Sequence, residues 1–178
     1  RRAARIAKAN GLAEGRVVVL EGGIEEVALP EPVDLIVSVF TGNLLFSEDL
    51  LPVLFHARDR YLKPGGRLIP DVAELLLAPV RAPELHDMHV GCWSRPAGGI
   101  DFSPARNIAV NDIYPCRRGE QVVEHLANPG VIASVVLSSA ASANCDGSAR
   151  LVVEQGGLCH GMEAWIRIRL GTEWLGTS

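Results

Sequence analysis

The stretch "VDLIVSVFTGNLLFSEDLL", Val33 to Leu51, decides how this chain is read. It opens as a β-branched run, Val33 to Val39, of the kind buried on both faces of a parallel sheet, and then breaks into a polar turn containing Gly42. Behind the turn, Leu50, Leu51, Leu54, Phe55 and Tyr61 recur at helical spacing with Ser47 placed as an N-cap, which predicts a helix from Ser47 to Tyr61. "LKPGG" then ends the helix and "RLIP" opens another strand. Upstream, "RVVVL", Arg16 to Leu20, reads as a further strand, and Arg2 to Ala9 as an alanine-rich helix closed by Asn10 and Gly11. Strands alternating with helices predict a parallel α/β sheet, and ligands of such sheets bind beyond the carboxyl ends of the strands. The turn from Ser38 to Glu48 lies there.

After Pro70 the texture changes. "AELLLAPV", "VIASVVLSSA", "ARLVVEQ" and "EAWIRIRL" read as strands separated by turns rich in Gly, Asn and Asp, which predicts an antiparallel β region from Asp71 to Ser178. Pro83 to Tyr114 interrupts it without strand alternation and reads as an inserted helical or loop element. The expected fold class is therefore α/β followed by mainly β.

Composition narrows the function. The 178 residues are 48% hydrophobic and 21% charged, ordinary for a globular protein, and the net charge of −4 offers no basic face for nucleic-acid phosphates. No apolar run approaches the roughly 18 residues of a membrane span, and no signal peptide precedes the first helix, so a cytoplasmic protein without a membrane partner is expected. Cys92, Cys116, Cys145 and Cys159 are scattered, and only His86 and His89 among the five histidines are close in sequence, so no metal site is expected. The histidines read as structural or surface groups, and Trp93, Trp165 and Trp174 as core or interface anchors. The start "RRAARI" and the end "EWLGTS" both read as cut.

The ordered features "IEEVALP", "VDLIVSVFTGNLLFSEDLL" and "ARDRYLKPGG" resemble the protein arginine methyltransferases, class I S-adenosylmethionine-dependent enzymes with a Rossmann-like half followed by a β-barrel half. The resemblance is densest from Gly22 to Asp71. "CWSRPAGGIDFS" resembles the arm inserted in that family's barrel, and "HGMEAWIRIRL" a late barrel strand. It implies that 1–70 is the later part of a Rossmann-like domain and 71–178 a β-barrel-like domain with 83–114 as its arm.

Further expectations follow from the family. Its acceptor loop carries two glutamates whose carboxylates match the fork of a guanidinium. Here the loop matches at Ser38, Gly42 and Glu48, which implies Glu48 as the catalytic carboxylate, while the first glutamate falls at Val39. Valine accepts no hydrogen bond, and a charge-assisted bond is worth roughly 1.5 to 3 kcal/mol. For the cofactor, S-adenosylmethionine, the resemblance implies Ile24 beside the adenine ring, Glu25 as acceptor for its amino group and Leu50 near the methyl donor. The family's glycine-rich loop and ribose-binding acid have no counterpart here, and its first two strands would lie between those matching Arg16–Leu20 and Val33–Val39. An open sheet edge is therefore expected. The implied acceptor is a protein arginine or a small molecule, the implied assembly a homodimer through the arm. The alternative is a non-catalytic relative serving as a protein-interaction module.

Overall fold

The computed structural model describes residues 2–12, 16–42, 44–116 and 122–177. Arg1 and Ser178, the outer limits of the two expected domains, lie outside the described residues. Helix α1, Arg2–Ala9, precedes the strand β1, Val33–Val37, which pairs in parallel with β2, Leu62–Ile69, across the crossover helix α2, Leu51–Tyr61. While β1 advances from Val33 to Leu35, β2 advances from Leu62 to Arg67, so "KPGG" bulges out of the ladder with Gly65 at φ +77°. The strand thus begins directly at Leu62 rather than at Arg67, because the bulge absorbs the proline that cannot donate to a ladder.

Strand β3, Val72–Arg81, is the spine of the antiparallel sheet. It pairs with β6, Gly161–Leu170, from Val72↔Arg169 to Val80↔Gly161. On its other side lie β5, Gly130–Val136, and the short β4, Glu124–His125, and β7, Glu173–Gly176, extends the sheet beyond β6. The chain therefore has the Rossmann-like α/β part followed by an antiparallel, barrel-like β part. Between β3 and β4 are inserted α3, Pro83–His89, two short 3₁₀ turns, and α4, Arg106–Ala109.

One apolar core joins the two sheets. Leu51, Leu54 and Phe55 of α2 and Leu68 of β2 pack with Ala73 of β3, Val135 of β5, Ile166 of β6 and Leu137. Arg58 of α2 latches the same seam: its Nη1 donates to the carbonyls of Leu137 and Ala140, both at 2.8 Å, with the guanidinium 4.6 Å from the Phe55 ring centroid.

Several expectations are corrected. Arg16–Leu20 forms no strand; Val18 and its apolar neighbours are exposed, and a β-branched run without a partner strand among the described residues has no ladder to join. Ala149–Gln155 contributes only the isolated bridge Ala127↔Val153, since the nearby backbone donors of Glu154 and Gln155 both go to Leu126 O. β1 is not buried on both faces: Leu35 is 47% and Val37 70% exposed, because β2 is its sole partner among the described residues. Ser47 is not an N-cap. Asp49, at φ +51°, turns the chain after it, and α2 starts at Leu51 with Leu50 in the cap position and Pro52 in the first turn, where a missing N–H costs nothing.

Candidate active site

The loop after β1 is built from its backbone outward. Ser38 N donates to Ile69 O at 2.9 Å, carrying the strand pairing one residue past β1, and Phe40 N donates to Ser38 Oγ at 3.1 Å, turning the chain away from the sheet. Thr41 and Leu45 are buried beneath the loop, Leu45 in the left-handed region at φ +61°. Such a conformation costs a leucine of order 1–3 kcal/mol, and burial in the shared core offsets it. Gly42 sits at φ +56°, and a Cβ there would lie 3.0 Å from Glu48 Oε1. Glycine is required twice over, by the backbone angle and by the Glu48 carboxylate folded across it.

The sequence-predicted residues therefore fall into two groups. Ser38, Val39, Gly42 and Glu48 share one loop, with Glu48 exposed, Val39 83% exposed, and half-buried Leu50 leading from the loop into the first turn of α2. Ile24 and Glu25 belong to a separate turn, Gly23–Val27, closed by Glu26 N and Val27 N, both donating to Gly23 O at 3.0 Å. That turn is tied to the opposite end of α2: Tyr61 Oη reaches Ile24 O at 2.8 Å and Val27 O at 2.6 Å, and Arg60 Nη1 donates to Glu25 O at 2.8 Å. The helix between the two groups is about 16 Å long. Ile24 is half-buried, whereas the Glu25 carboxylate is exposed and curls over Gly23, 3.4 Å from where a Cβ would stand. Sequence reasoning treated Tyr61 only as part of an apolar face and did not single out Arg60; the sole signal was a phenol, able to donate, at the end of that face.

In the inserted segment Trp93 Nε1 donates to His89 O at 3.0 Å, His89 stacks on Tyr114 at 4.3 Å, and Tyr114 Oη donates to Ala109 O at 2.8 Å. These contacts frame a cavity of about 380 Å³ that includes Met88, Cys92 and Ile108 in its lining. Met88, Ile108 and Ile113 are exposed around it. Elsewhere, His125 stacks on Trp165 at 5.3 Å with its Nε2 2.6 Å from Glu163 Oε2, and His160 Nδ1 accepts from Ala82 N. Among the described residues no group of three or more His, Cys, Asp and Glu side chains could hold a metal ion, and no helix is long and apolar enough to cross a membrane.

No family model matches the chain. Individual proteins do. It is 30% identical over 178 aligned residues, covering 93% of its length, to the protein arginine N-methyltransferase 6 of Xenopus tropicalis, and 37% identical over 130 residues, covering 73% of its length, to the "Probable protein arginine N-methyltransferase 6" of Arabidopsis thaliana. It spans 51% of the first relative and 28% of the second. Among solved structures, a chain of the Trypanosoma brucei PRMT1 enzyme–prozyme heterotetrameric complex with AdoHcy superposes with a TM-score of 0.79 at 22% identity, over 99% of this chain and 56% of that one. The β1–α2–β2 unit, the antiparallel sheet that follows and these similarities agree: the chain is protein arginine methyltransferase-like, of the class I S-adenosylmethionine-dependent methyltransferase kind.

Proposed function

We propose that this chain is the carboxyl-side part of an S-adenosylmethionine-dependent methyltransferase, with residues 1–70 completing a Rossmann-like domain, 71–178 forming the β-barrel-like domain, and 83–114 its arm. The observation that carries the reading is the Glu48 carboxylate folded across Gly42 on the loop beyond β1. An exposed carboxylate on a loop anchored at both ends can take a charge-assisted hydrogen bond from a guanidinium and orient one of its nitrogens. Val39, on the same loop, leaves the other side of that acceptor apolar. The acceptor is then a protein arginine held by one carboxylate, or a less cationic group.

The residues present fit the adenine end of the cofactor. Ile24 offers an apolar surface, and the Glu25 carboxylate, which has no hydrogen-bond partner among the described residues, can accept from an exocyclic amino group. Leu50, at the entry to α2, would line the methyl-donor end. When bound, the cofactor supplies an electrophilic methyl group; the chain's own contribution is to hold the acceptor at Glu48 and shape the loop around it. A homodimer through the exposed apolar arm and a cytoplasmic location complete the reading.

A second reading, a non-catalytic relative that acts as an interaction module, is favoured by Val39, since the position that should carry a carboxylate presents an exposed apolar side chain. Labelled methyl transfer to arginine peptides by the full-length protein decides between the two. Val39→Glu is expected to raise arginine methylation at least about tenfold, the equivalent of one charge-assisted hydrogen bond, and Glu48→Gln to abolish turnover. The 178-residue chain alone is expected to be inactive. Full activity in Glu48→Gln with unchanged acceptor preference in Val39→Glu would remove the loop from consideration as the acceptor site.

A further inference from the structure

We infer that Tyr61 is a positioning residue for the nucleoside end of the cofactor, acting through the Gly23–Val27 turn. This rests on the assignment of Ile24 and Glu25 proposed above and adds the group that fixes where they stand. The Tyr61 side chain is 5% exposed, and its hydroxyl lies between two carbonyls of the same turn, Ile24 O and Val27 O. A hydroxyl carries one hydrogen, so these two acceptors share a single donor and are held together by it. Arg60 takes the carbonyl between them, Glu25 O, and its guanidinium lies 5.3 Å from the Tyr61 ring centroid. Three carbonyls of one short turn are thus gripped by the last turn of α2.

Packing does not substitute for this grip. The segment leaving the turn, Ala28 to Pro32, lines a cavity of about 220 Å³ together with Arg60 and Tyr61, so apolar contact does not press it closely onto the helix. Without the phenolic proton, Ile24 O and Val27 O would lose their shared donor, and the turn, still closed by Glu26 N and Val27 N on Gly23 O, would be tied to α2 by Arg60 alone and would shift on the helix. Its side chains would move with it. Glu25 in particular takes its direction from the turn, because its carboxylate lies over Gly23 and its carbonyl is held by Arg60. A platform that must present an apolar face and an acceptor at fixed spacing depends on that geometry.

Adenosine, which carries only the nucleoside end, is the probe, titrated into the 178-residue chain while the backbone amides of Ile24 to Val27 are followed by NMR well below the melting temperature. Tyr61→Phe keeps the ring and removes the proton. It is expected to weaken adenosine binding about fivefold, the equivalent of one neutral hydrogen bond, and to speed hydrogen exchange at Glu26 and Val27. In a Glu25→Ala background the same change should make no further difference, a coupling that loss of general stability would not produce. Arg60→Met, which leaves the phenol in place, should weaken binding in the same direction and by less. If Tyr61→Phe binds adenosine as well as the unaltered chain while Glu25→Ala weakens binding, the positioning role is wrong and the adenine assignment stands. If adenosine leaves the Ile24 and Glu25 amides unmoved, or binds regardless of Glu25→Ala, the assignment fails and the positioning role with it.

Discussion

β1 and β3 are both short β-branched or leucine-rich runs, yet they end in opposite circumstances. β3 is flanked on both sides, by β6 and by β5 with β4, and its residues Val72, Ala73, Leu76, Ala78 and Val80 are buried. Among the described residues β1 pairs with β2 alone, and Leu35 and Val37 stand exposed along it. The difference is one of partners rather than of propensity, as Arg16–Leu20 shows: three consecutive valines that pair with no strand among the described residues do not make a strand. An open apolar edge also leaves backbone groups in water, where opening is cheap.

The strongest way to break this comparison is hydrogen exchange. Amides of Val131–Val135 and Glu163–Leu170 are expected to exchange at least about a hundredfold more slowly than those of Val17–Leu20 and Leu35–Val37, since local opening free energies run from near zero up to the global value. Equal protection would mean that the parallel part closes its own edge. The shared core supplies the next test. Leu54 of α2 is 1% exposed and packs in the cluster that includes Ala73 and Ile166, so Leu54→Ala is expected to cost about 3 kcal/mol. Because that cluster belongs to both sheets, the loss should lower the melting of the antiparallel part as well, read from Trp165 fluorescence. If only the parallel part were affected, the two would be independent units.

Arg58 sharpens the same point at smaller magnitude. Its bonds to Leu137 O and Ala140 O cross from the helix to the turn after β5, and Arg58→Met, which keeps the stem and removes the donors, is expected to cost about 2 kcal/mol in chemical denaturation, the worth of a hydrogen bond to a charged group. A cost below about 0.5 kcal/mol would place it with ordinary surface arginines.

Much of this was legible in the sequence. The period of Leu50 to Tyr61, the alternation of Glu163 to Leu170 and the proline and glycine punctuation around Lys63 to Pro70 are local signals, and they place α2, β6 and the change of texture after Pro70. The loop residues Ser38, Gly42 and Glu48 came from the resemblance to the arginine methyltransferases rather than from residue type, and of the three only the glycine has a backbone angle, φ +56°, that calls for its residue type. What stayed hidden depends on partners far along the chain. Among the described residues "RVVVL" joins no ladder and "ARLVVEQ" only a single bridge, and nothing in either run says so; nothing in "FSEDL" says that Asp49 adopts a positive φ, and nothing in "ARDRY" says that its last two residues reach 34 to 37 positions back to hold the Ile24 turn.

Acid should separate the two regions once more, through the smallest of these effects. The antiparallel sheet carries ion pairs from β6 to β3 and to the residue that precedes it, with Arg167 Nε 2.5 Å from Glu74 Oε2 and the Arg169 guanidinium gripping both oxygens of Asp71 at 3.0 and 2.6 Å. The hydrogen bond from Arg169 holds the Asp71 carboxyl below its ordinary value of 3.8. A depressed carboxylate contributes stability that is fully present above the unfolded value and is lost as pH falls through the folded one. Stability is therefore expected to be flat in this respect from neutral pH down to about 5 and to fall below about 4. Asp71 is a third exposed, so solvent screening keeps the effect modest. The corresponding pair in the parallel part, Lys63 with Asp34, lies in the open, with the Asp34 side chain 85% exposed, and should contribute nothing measurable. Asp71→Asn tests the assignment: at neutral pH the variant should be slightly less stable than the unaltered chain, and the gap should close as both are titrated below pH 4. Asp34→Asn should leave the curve where it was. A gap at Asp71 that persisted unchanged into strong acid would mean that the side chain stabilises β3 by its shape and hydrogen bonding rather than by its charge, and the electrostatic contrast between the two sheets would disappear.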